Sequence, residues 1–178
     1  MIKLNNIKKI IKICNDNDVI PIIFGGVAYF LRTFDFGEIY HNKVKYDREF
    51  KDIDFIVTSS DLEILKNKFI ELGYELDLTW INGYVGYVKG DSKNPYTIED
   101  SSGIQIGPKR FELKFDNFVY DFDALDEFID IDEHTTIQTD GLVFKIASVD
   151  ILKECLSREL KYGWADSNEK EKLERLEK

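Results

Sequence analysis

The chain has 178 residues, of which 43% are hydrophobic and 13% aromatic, enough to build one domain with a substantial buried core. This composition excludes an intrinsically disordered protein. The 34 acidic and 24 basic residues give a formal net charge of −10, which disfavours long nucleic acid as a partner and favours cations, either metal ions or polycationic small molecules.

The N-terminal segment predicts an amphipathic helix that ends near Asn15 to Asp18, because apolar residues recur at helical spacing from Ile7 to Cys14. The segment has no small-residue cleavage site, and no window of the sequence reaches the roughly 18 apolar residues of a membrane span. We therefore expect a cytoplasmic protein without a membrane partner. Cys14 and Cys155 lack a CxxC pairing, so neither a disulfide nor a zinc site is expected.

A short buried strand over residues 19–24 is followed by Gly25 and Gly26 and then by a second predicted helix, VAYFLRTF. Pro21 places this strand at a sheet edge or marks its start. Two glycines let the chain turn sharply and let main-chain N–H groups approach an anion at a helix N-terminus. The same pair also serves as an ordinary strand-to-helix turn, and the pair alone leaves both interpretations open.

The run DIDFIV over residues 52–57 predicts a central strand, because its second half is continuously apolar. A helix follows it. Ser60 and Glu63 form the S-x-x-E pattern of a capping box at the start of this helix, and Gly73 is placed to end it. The segment is therefore expected to form a strand followed by a crossover helix.

The middle of the chain predicts mostly strands, with residues 91–103 as the most loop-like stretch. Three hairpins are expected, each around a polar two-residue turn: Asn82–Gly83, Asp116–Asn117 and Asp140–Gly141. From Ser148, a predicted N-cap, the pattern becomes helical again, and a last helix covers the C-terminal residues. These elements predict an α+β (α/β) fold with a small mixed β-sheet flanked by helices. We expect residues 1–146 to form the core and residues 147–178 to form a helical segment packed on it, not an independent domain.

Two pairs of aspartates stand out on these strands. Asp52 and Asp54 lie two apart, so their side chains project from one face, with Cα atoms roughly 7 Å apart. The run FVYDFD adds Asp121 and Asp123 on one face of another strand. Carboxylates at a sheet edge repel one another, and three of them on neighbouring strands can hold one or two Mg²⁺ ions that also bind phosphate oxygens. The pattern indicates phosphoryl or nucleotidyl transfer.

This order of elements, with Gly25–Gly26 before a helix, DID on a strand and a later strand aspartate, resembles the nucleotidyltransferase superfamily typified by DNA polymerase β. It is most similar to small bacterial members, namely the aminoglycoside and lincosamide nucleotidyltransferases and the AbiEii-type toxin enzymes. The resemblance implies that Asp52, Asp54 and Asp121 are the catalytic, metal-binding carboxylates. Asp121 would also be the general base, with Asp123 as the alternative third carboxylate.

The resemblance also implies an NTP substrate, one or two Mg²⁺ ions, and transfer of a nucleoside monophosphate to a hydroxyl acceptor with release of pyrophosphate. Arg48 stands four positions before Asp52, where many members carry a basic residue, and the lysine of IASVDILKE matches one on the helix that follows their core. The nucleotide-binding residues implied are Gly25, Gly26, Arg48 and Lys153.

The acidic balance favours a cationic small molecule, such as an aminoglycoside, as the acceptor. Two alternatives stay open: a toxin-type enzyme acting on RNA or protein, and a non-catalytic binding module with the nucleotidyltransferase fold. A chain of this length leaves little room for a separate substrate domain, so we expect a homodimer partner to complete the acceptor cleft.

Several further residues are candidates with ordinary structural explanations. His41 lies in the segment before DIDFIV and is interpreted as a surface histidine. Asp130 and Asp132 form a second D-I-D that we interpret as solvated. Four aromatic residues are interpreted either as base-stacking groups or, more simply, as core: Trp80, Tyr84, Tyr87 and Tyr96.

Overall fold

The computed structural model describes residues 4–33, 52–83, 85–87, 98–99, 104–125, 134–161 and 167–176. The helices are α1 (Leu4–Asn15), α2 (Gly25–Thr33), α3 (Ser59–Glu71), α4 (Val149–Lys161) and α5 (Ser167–Leu176). The strands are β1 (Ile22–Ile23), β2 (Asp52–Val57), β3 (Glu75–Asp77), β4 (Val85–Tyr87), β5 (Ile98–Glu99), β6 (Ile104–Ile106), β7 (Lys109–Phe115), β8 (Phe118–Ala124), β9 (Thr135–Thr139) and β10 (Leu142–Ile146).

The strands form a seven-stranded sheet in the order β3-β7-β8-β2-β1-β10-β9 and a three-stranded sheet in the order β4-β6-β5. In the large sheet, β2 pairs with β8 and β1 pairs with β10 in parallel, whereas the other neighbours are antiparallel. The prediction of a mixed sheet with helices, in an α+β fold, is confirmed. The prediction that DIDFIV is a central strand is also confirmed, because β2 is the middle strand of the seven.

One face of β2, β8 and β7 carries the aromatic centre of the core. The ring of Phe122 stacks on Phe55 and on Phe111, with ring centroids 5.1 and 4.9 Å apart. Phe69 of α3 packs on Phe111 and Phe122, so α3 covers this face of the sheet. Since side chains alternate along a strand, the charged residues of these three strands other than Lys109 lie on the opposite face.

The helices at the other end of the sheet share the same core. Arg32, in the last turn of α2, donates hydrogen bonds to the carbonyl oxygens of Ala147 and Ile146 at 2.8 and 2.7 Å, which fixes α2 to the end of β10. Buried residues of α4 and α5 belong to this core as well: Ile151, Leu152, Cys155, Leu156 and Leu176. Cys14 and Cys155 are both buried and form no disulfide.

Two of the predicted hairpins are confirmed and one is wrong. Strands β7 and β8 pair around Asp116–Asn117, and β9 and β10 pair around Asp140–Gly141. All four turn residues have positive φ, as such two-residue turns require. The segment at Asn82–Gly83 does not join neighbouring strands: β3 pairs with β7, and β4 pairs with β6 in the small sheet.

The reason for that correction lies in long-range packing. The ring of Tyr74, which directly precedes β3, packs edge-on against Phe69 and Phe115 at 5.5 and 5.4 Å between centroids. These contacts fix β3 at the edge of the large sheet beside β7. The Asn82–Gly83 turn pattern carries no information on whether a distant strand such as β7 pairs with β3 instead of β4.

Three smaller predictions also need correction. The N-cap of α3 is Thr58, whose hydroxyl accepts a hydrogen bond from the Asp61 N–H at 3.1 Å, so Ser60 lies inside the helix and the capping box is not formed there. Helix α2 begins at Gly25, so the glycines form its first turn. Within the predicted loop, Ile98–Glu99 is a short strand.

Other boundary predictions are confirmed. Gly73, with φ of +79°, follows the end of α3, and the Ser148 hydroxyl accepts from the Ile151 N–H at 3.2 Å at the start of α4. Pro21 precedes β1, which lies inside the sheet, so it marks the start of the strand and not an edge. In the described segments, no helix combines the length and the apolar character needed to cross a membrane.

Candidate active site

The parallel pairing of β2 and β8 brings the predicted aspartates together. Asp54 lies directly opposite Asp121, while Asp52 is opposite Val119 and Ile56 is opposite Asp123. All four aspartates therefore lie on one face of two adjacent strands. Asp52 is exposed, Asp54 and Asp123 are half-buried, and Asp121 is 4% exposed. We call this set, Asp52, Asp54, Asp121 and Asp123, the carboxylate cluster.

Burial and mutual repulsion weaken the acidity of the cluster. Burial, followed by the charge of Asp52, raises the pKa of Asp54 to about 6. Burial also raises the pKa values of Asp121 and Asp123 to about 7, and the neighbouring carboxylates add to this shift while Arg110 opposes it. Holding these groups ionised together is therefore costly unless cations are close.

Arg110 supplies one such cation, and sequence reasoning missed it. It lies on β7 opposite Asp123 of β8. Its Nη2 forms an ion pair with Asp121 Oδ2, and its Nε lies 3.7 Å from Asp123 Oδ1. Burial opposes the charge of Arg110, but Asp123, Asp121 and Asp54 outweigh it and raise its pKa. The alternation of KRFELKF is a signal that Arg110 lies on the polar face of a strand, but only the pairing of β7 with β8 identifies its partners.

The glycine pair lies against the same cluster. The Phe24 N–H donates a hydrogen bond to the Asp54 carbonyl oxygen at 2.9 Å, which brings the start of α2 beside β2. A Cβ atom on Gly25 would lie 2.9 Å from Asp54 Cγ and would overlap its Oδ2. Gly25 also has φ of +59°. Glycine is thus needed at position 25 both for the backbone turn and to leave space for the Asp54 carboxylate.

We expect Gly25→Ala to displace Asp54 and to lower any activity of the cluster far more than it lowers stability. Gly73→Ala is the matched control, because Gly73 also has positive φ while a Cβ there would meet nothing within 4 Å. Each substitution costs about 1–3 kcal/mol in backbone strain. Urea unfolding and an activity assay on both variants measure the difference. Equal losses of activity per folded molecule would contradict a specific role for position 25.

A small cleft of about 160 Å³ opens beside the glycines. Its walls come from three helices and the residue before α2: Phe24, Gly25, Gly26, Tyr29, Leu152, Cys155, Leu156 and Lys172. Lys172 of α5 also acts on the cluster, because its positive charge lowers the pKa of Asp54. The predicted lysine, Lys153, is half-buried on α4 and does not line this cleft. No motif around Lys172 in the sequence marked it as a site residue.

The chemistry of the cluster fits Mg²⁺. Its donors are carboxylate oxygens, which Mg²⁺ prefers. Asp121 Oδ1 is buried and has no hydrogen-bond partner within the described segments, so one oxygen of the most buried aspartate of the cluster is available to a cation. Over the described ranges, no three His, Cys, Asp or Glu side chains are gathered tightly enough to hold a metal ion as they stand. Side-chain adjustment within the cluster is therefore part of any metal binding.

Several predicted residues cannot be placed relative to this site. Arg48, His41, Asp130 and Asp132 lie outside the described residues, as do Tyr84 and Tyr96. Trp80 is described and is 39% exposed. Its carbonyl oxygen accepts a hydrogen bond from the Arg110 N–H at 3.0 Å, so its backbone lies beside the start of β7 and it is not a core residue.

Comparison with known proteins finds a likeness in fold. By sequence, the chain matches no family model and none of the curated proteins. Several solved structures align over most of its length, among them the following three. The lincomycin-bound lincosamide antibiotic adenylyltransferase LnuA is 13% identical over 99% of this chain and 97% of its own, with a TM-score of 0.56.

The other two are ANT(2″)-Ia in complex with adenylyl-2″-tobramycin and a candidate nucleotidyltransferase from Thermotoga maritima. The first is 14% identical over 97% of this chain and 86% of its own, with a TM-score of 0.52. The second is 15% identical over 92% of this chain and 88% of its own, also with a TM-score of 0.52. At these identities the likeness concerns the fold, and at that level it confirms the resemblance read from the sequence. The chain has the nucleotidyltransferase fold.

Proposed function

We propose that the chain is a Mg²⁺-dependent nucleotidyltransferase that transfers a nucleoside monophosphate from an NTP to a hydroxyl acceptor and releases pyrophosphate. The observation that carries this proposal is the register of β2 and β8, which sets Asp54 directly opposite Asp121 beside the glycine turn. A fold alone does not define a function, but this fold with carboxylates facing each other at that turn supports one reaction class.

In this proposal Asp52, Asp54 and Asp121 hold the metal. Bound Mg²⁺ supplies charge neutralisation at the phosphates. Asp121 accepts the proton of the acceptor hydroxyl. The hydroxyl oxygen forms a bond to the α-phosphorus of the NTP, and the bond from that phosphorus to the pyrophosphate breaks. Arg48 remains a proposed phosphate-binding residue.

The first turn of α2 is the proposed triphosphate site. The first N–H groups of a helix, here those of Gly25 and Gly26, have no acceptor inside the helix and favour anions. Lys172 lines the cleft beside them and adds a positive charge. We therefore propose Lys172 as a contact of the triphosphate, with Lys153 as the alternative on α4.

We propose a small cationic acceptor, such as an aminoglycoside. The net charge of −10 supports it, because such a field attracts polycations and repels RNA. LnuA and ANT(2″)-Ia, whose structures contain lincomycin and adenylyl-2″-tobramycin, support the same class. A second copy of the chain is the proposed source of any acceptor contacts that one copy lacks.

A second candidate function is a non-catalytic binding module. The ion pair between Arg110 and Asp121 favours it, since an arginine already neutralises part of the cluster. The two candidates differ in whether nucleotide binding depends on a metal.

Thermal unfolding with each of the four NTPs, with and without Mg²⁺, tests the proposal. For an enzyme we expect at least one NTP to raise Tm by roughly 5 °C or more at a hundred times its Kd, and only with Mg²⁺. Mass spectrometry of mixed aminoglycosides and lincosamides incubated with that NTP then detects the nucleotidylated product. A metal-independent gain with no product would support the binding module, and no gain with any NTP would contradict both candidates.

A further inference from the structure

In the described part of the chain, the ion pair between Arg110 and Asp121 leaves one buried polar atom of each side chain without a hydrogen bond. Nη2 of Arg110 contacts Oδ2 of Asp121, but Oδ1 of Asp121 and Nε of Arg110 are both buried and find no hydrogen-bond partner among the described residues. A well-matched arginine–carboxylate pair uses two parallel N–H···O bonds. This pair uses one, although both side chains are held on adjacent strands.

The second aspartate of β8 explains part of this geometry. Nε of Arg110 lies 3.7 Å from Oδ1 of Asp123, so the guanidinium is shared between two carboxylates. Asp123 lies opposite Ile56, whereas Asp121 lies opposite Asp54. Asp121 therefore lies at the centre of the carboxylate cluster, and Asp123 is the residue directly opposite Arg110 in the register of β7 and β8.

We propose that Arg110 is an internal counter-cation that competes with a divalent metal ion for Asp121. Without metal it offsets the repulsion among the buried carboxylates. If Asp121 binds a metal ion, Asp123 remains as the ion-pair partner of the Arg110 guanidinium. This inference rests on the proposed function, because it takes Asp121 as a metal ligand, and it gives the two aspartates of FVYDFD different tasks.

The direct test is Mn²⁺ binding to the nucleotide-free protein, measured by calorimetry or electron paramagnetic resonance. We expect Arg110→Gln to bind Mn²⁺ about tenfold more tightly than the parent, since both a competitor and a repelling charge are lost. Arg110→Lys keeps the charge and should bind Mn²⁺ nearly as weakly as the parent. Lys114→Gln removes a charge from the same face of the same strand, where Lys114 pairs with Glu75 at 3.7 Å, and should leave the affinity unchanged.

A second variant guards against loss of folding in Arg110→Gln. The double variant Arg110→Gln with Asp123→Asn removes one positive and one negative charge, so the summed charge of Arg110 and the carboxylate cluster is unchanged and only Asp121 loses an ion-pair partner. It should also bind Mn²⁺ more tightly than the parent. If either folded variant binds Mn²⁺ no more tightly than the parent, the inference is wrong while the proposed function stands. If neither the parent nor any variant binds Mn²⁺, both are wrong.

Discussion

We expect Asp54→Asn to abolish nucleotidyl transfer while the protein stays folded. Asn has the same shape but lacks the charge that a metal requires, and Asp54 lies between the Gly25 turn and Asp121. The fold should survive because burial and repulsion already disfavour the ionised form of Asp54. Loss of one such electrostatic group typically costs about 10²–10³ in turnover, and we expect a loss at the upper end of that range or beyond it.

The measurement is turnover per folded molecule, with thermal unfolding recorded for each variant without metal. Asp52→Asn should also lower turnover while the protein stays folded. Asp77→Asn is the control, because Asp77 lies on the same sheet outside the cluster and accepts a hydrogen bond from the Thr79 N–H at 2.9 Å, which Asn can keep. Unchanged turnover in folded Asp54→Asn would show that Asp54 is not a metal ligand in the reaction.

The second large effect concerns the third carboxylate. We expect Asp121→Asn to lower turnover by about 10² or more, the range for loss of a general base, and Asp123→Asn to have a much milder effect. Asp121 is the more buried of the two and faces Asp54, whereas Asp123 faces Ile56. Single-turnover rates at saturating NTP for both variants measure the chemical step. A larger loss of turnover in Asp123→Asn would assign the role of general base to Asp123 instead of Asp121.

Local patterns in the sequence predicted the parts of the site that depend on alternation. The spacing of Asp52 and Asp54 placed them on one face, and the apolar run after them placed β2 inside the sheet. Asp121 followed from the same rule on β8. These predictions succeeded because a strand buried on both sides has a composition that neighbours in the sequence reveal.

The parts that depend on pairing between distant segments could not be predicted. Arg110 reaches Asp121 only because β7 lies beside β8, and Lys172 reaches the cleft only because α5 packs near α2. The Asn82–Gly83 turn misled for the same reason, since Tyr74 packs on Phe115 and directs β3 to another partner. The role of Gly25 also depends on a distant residue. The sequence suggested that glycine leaves space for a bound phosphate, and the structure shows that it also leaves space for the Asp54 carboxylate.

The two-residue strand β1 has a consequence for how the protein acquires its site during synthesis. It joins the two halves of the large sheet, yet its parallel partner is β10, where Ile22 pairs with Lys145. A pairing between such distant segments carries a large entropy of loop closure and slows folding. A nascent chain released before β10 would hold the glycines and every aspartate of the cluster but would lack the strand that pairs with β1 on the side away from β2. Such a chain could pair β2 with β8, but β1 and the Gly25 turn after it would lie at an unsupported sheet edge, so the complete site is expected only once β10 is made.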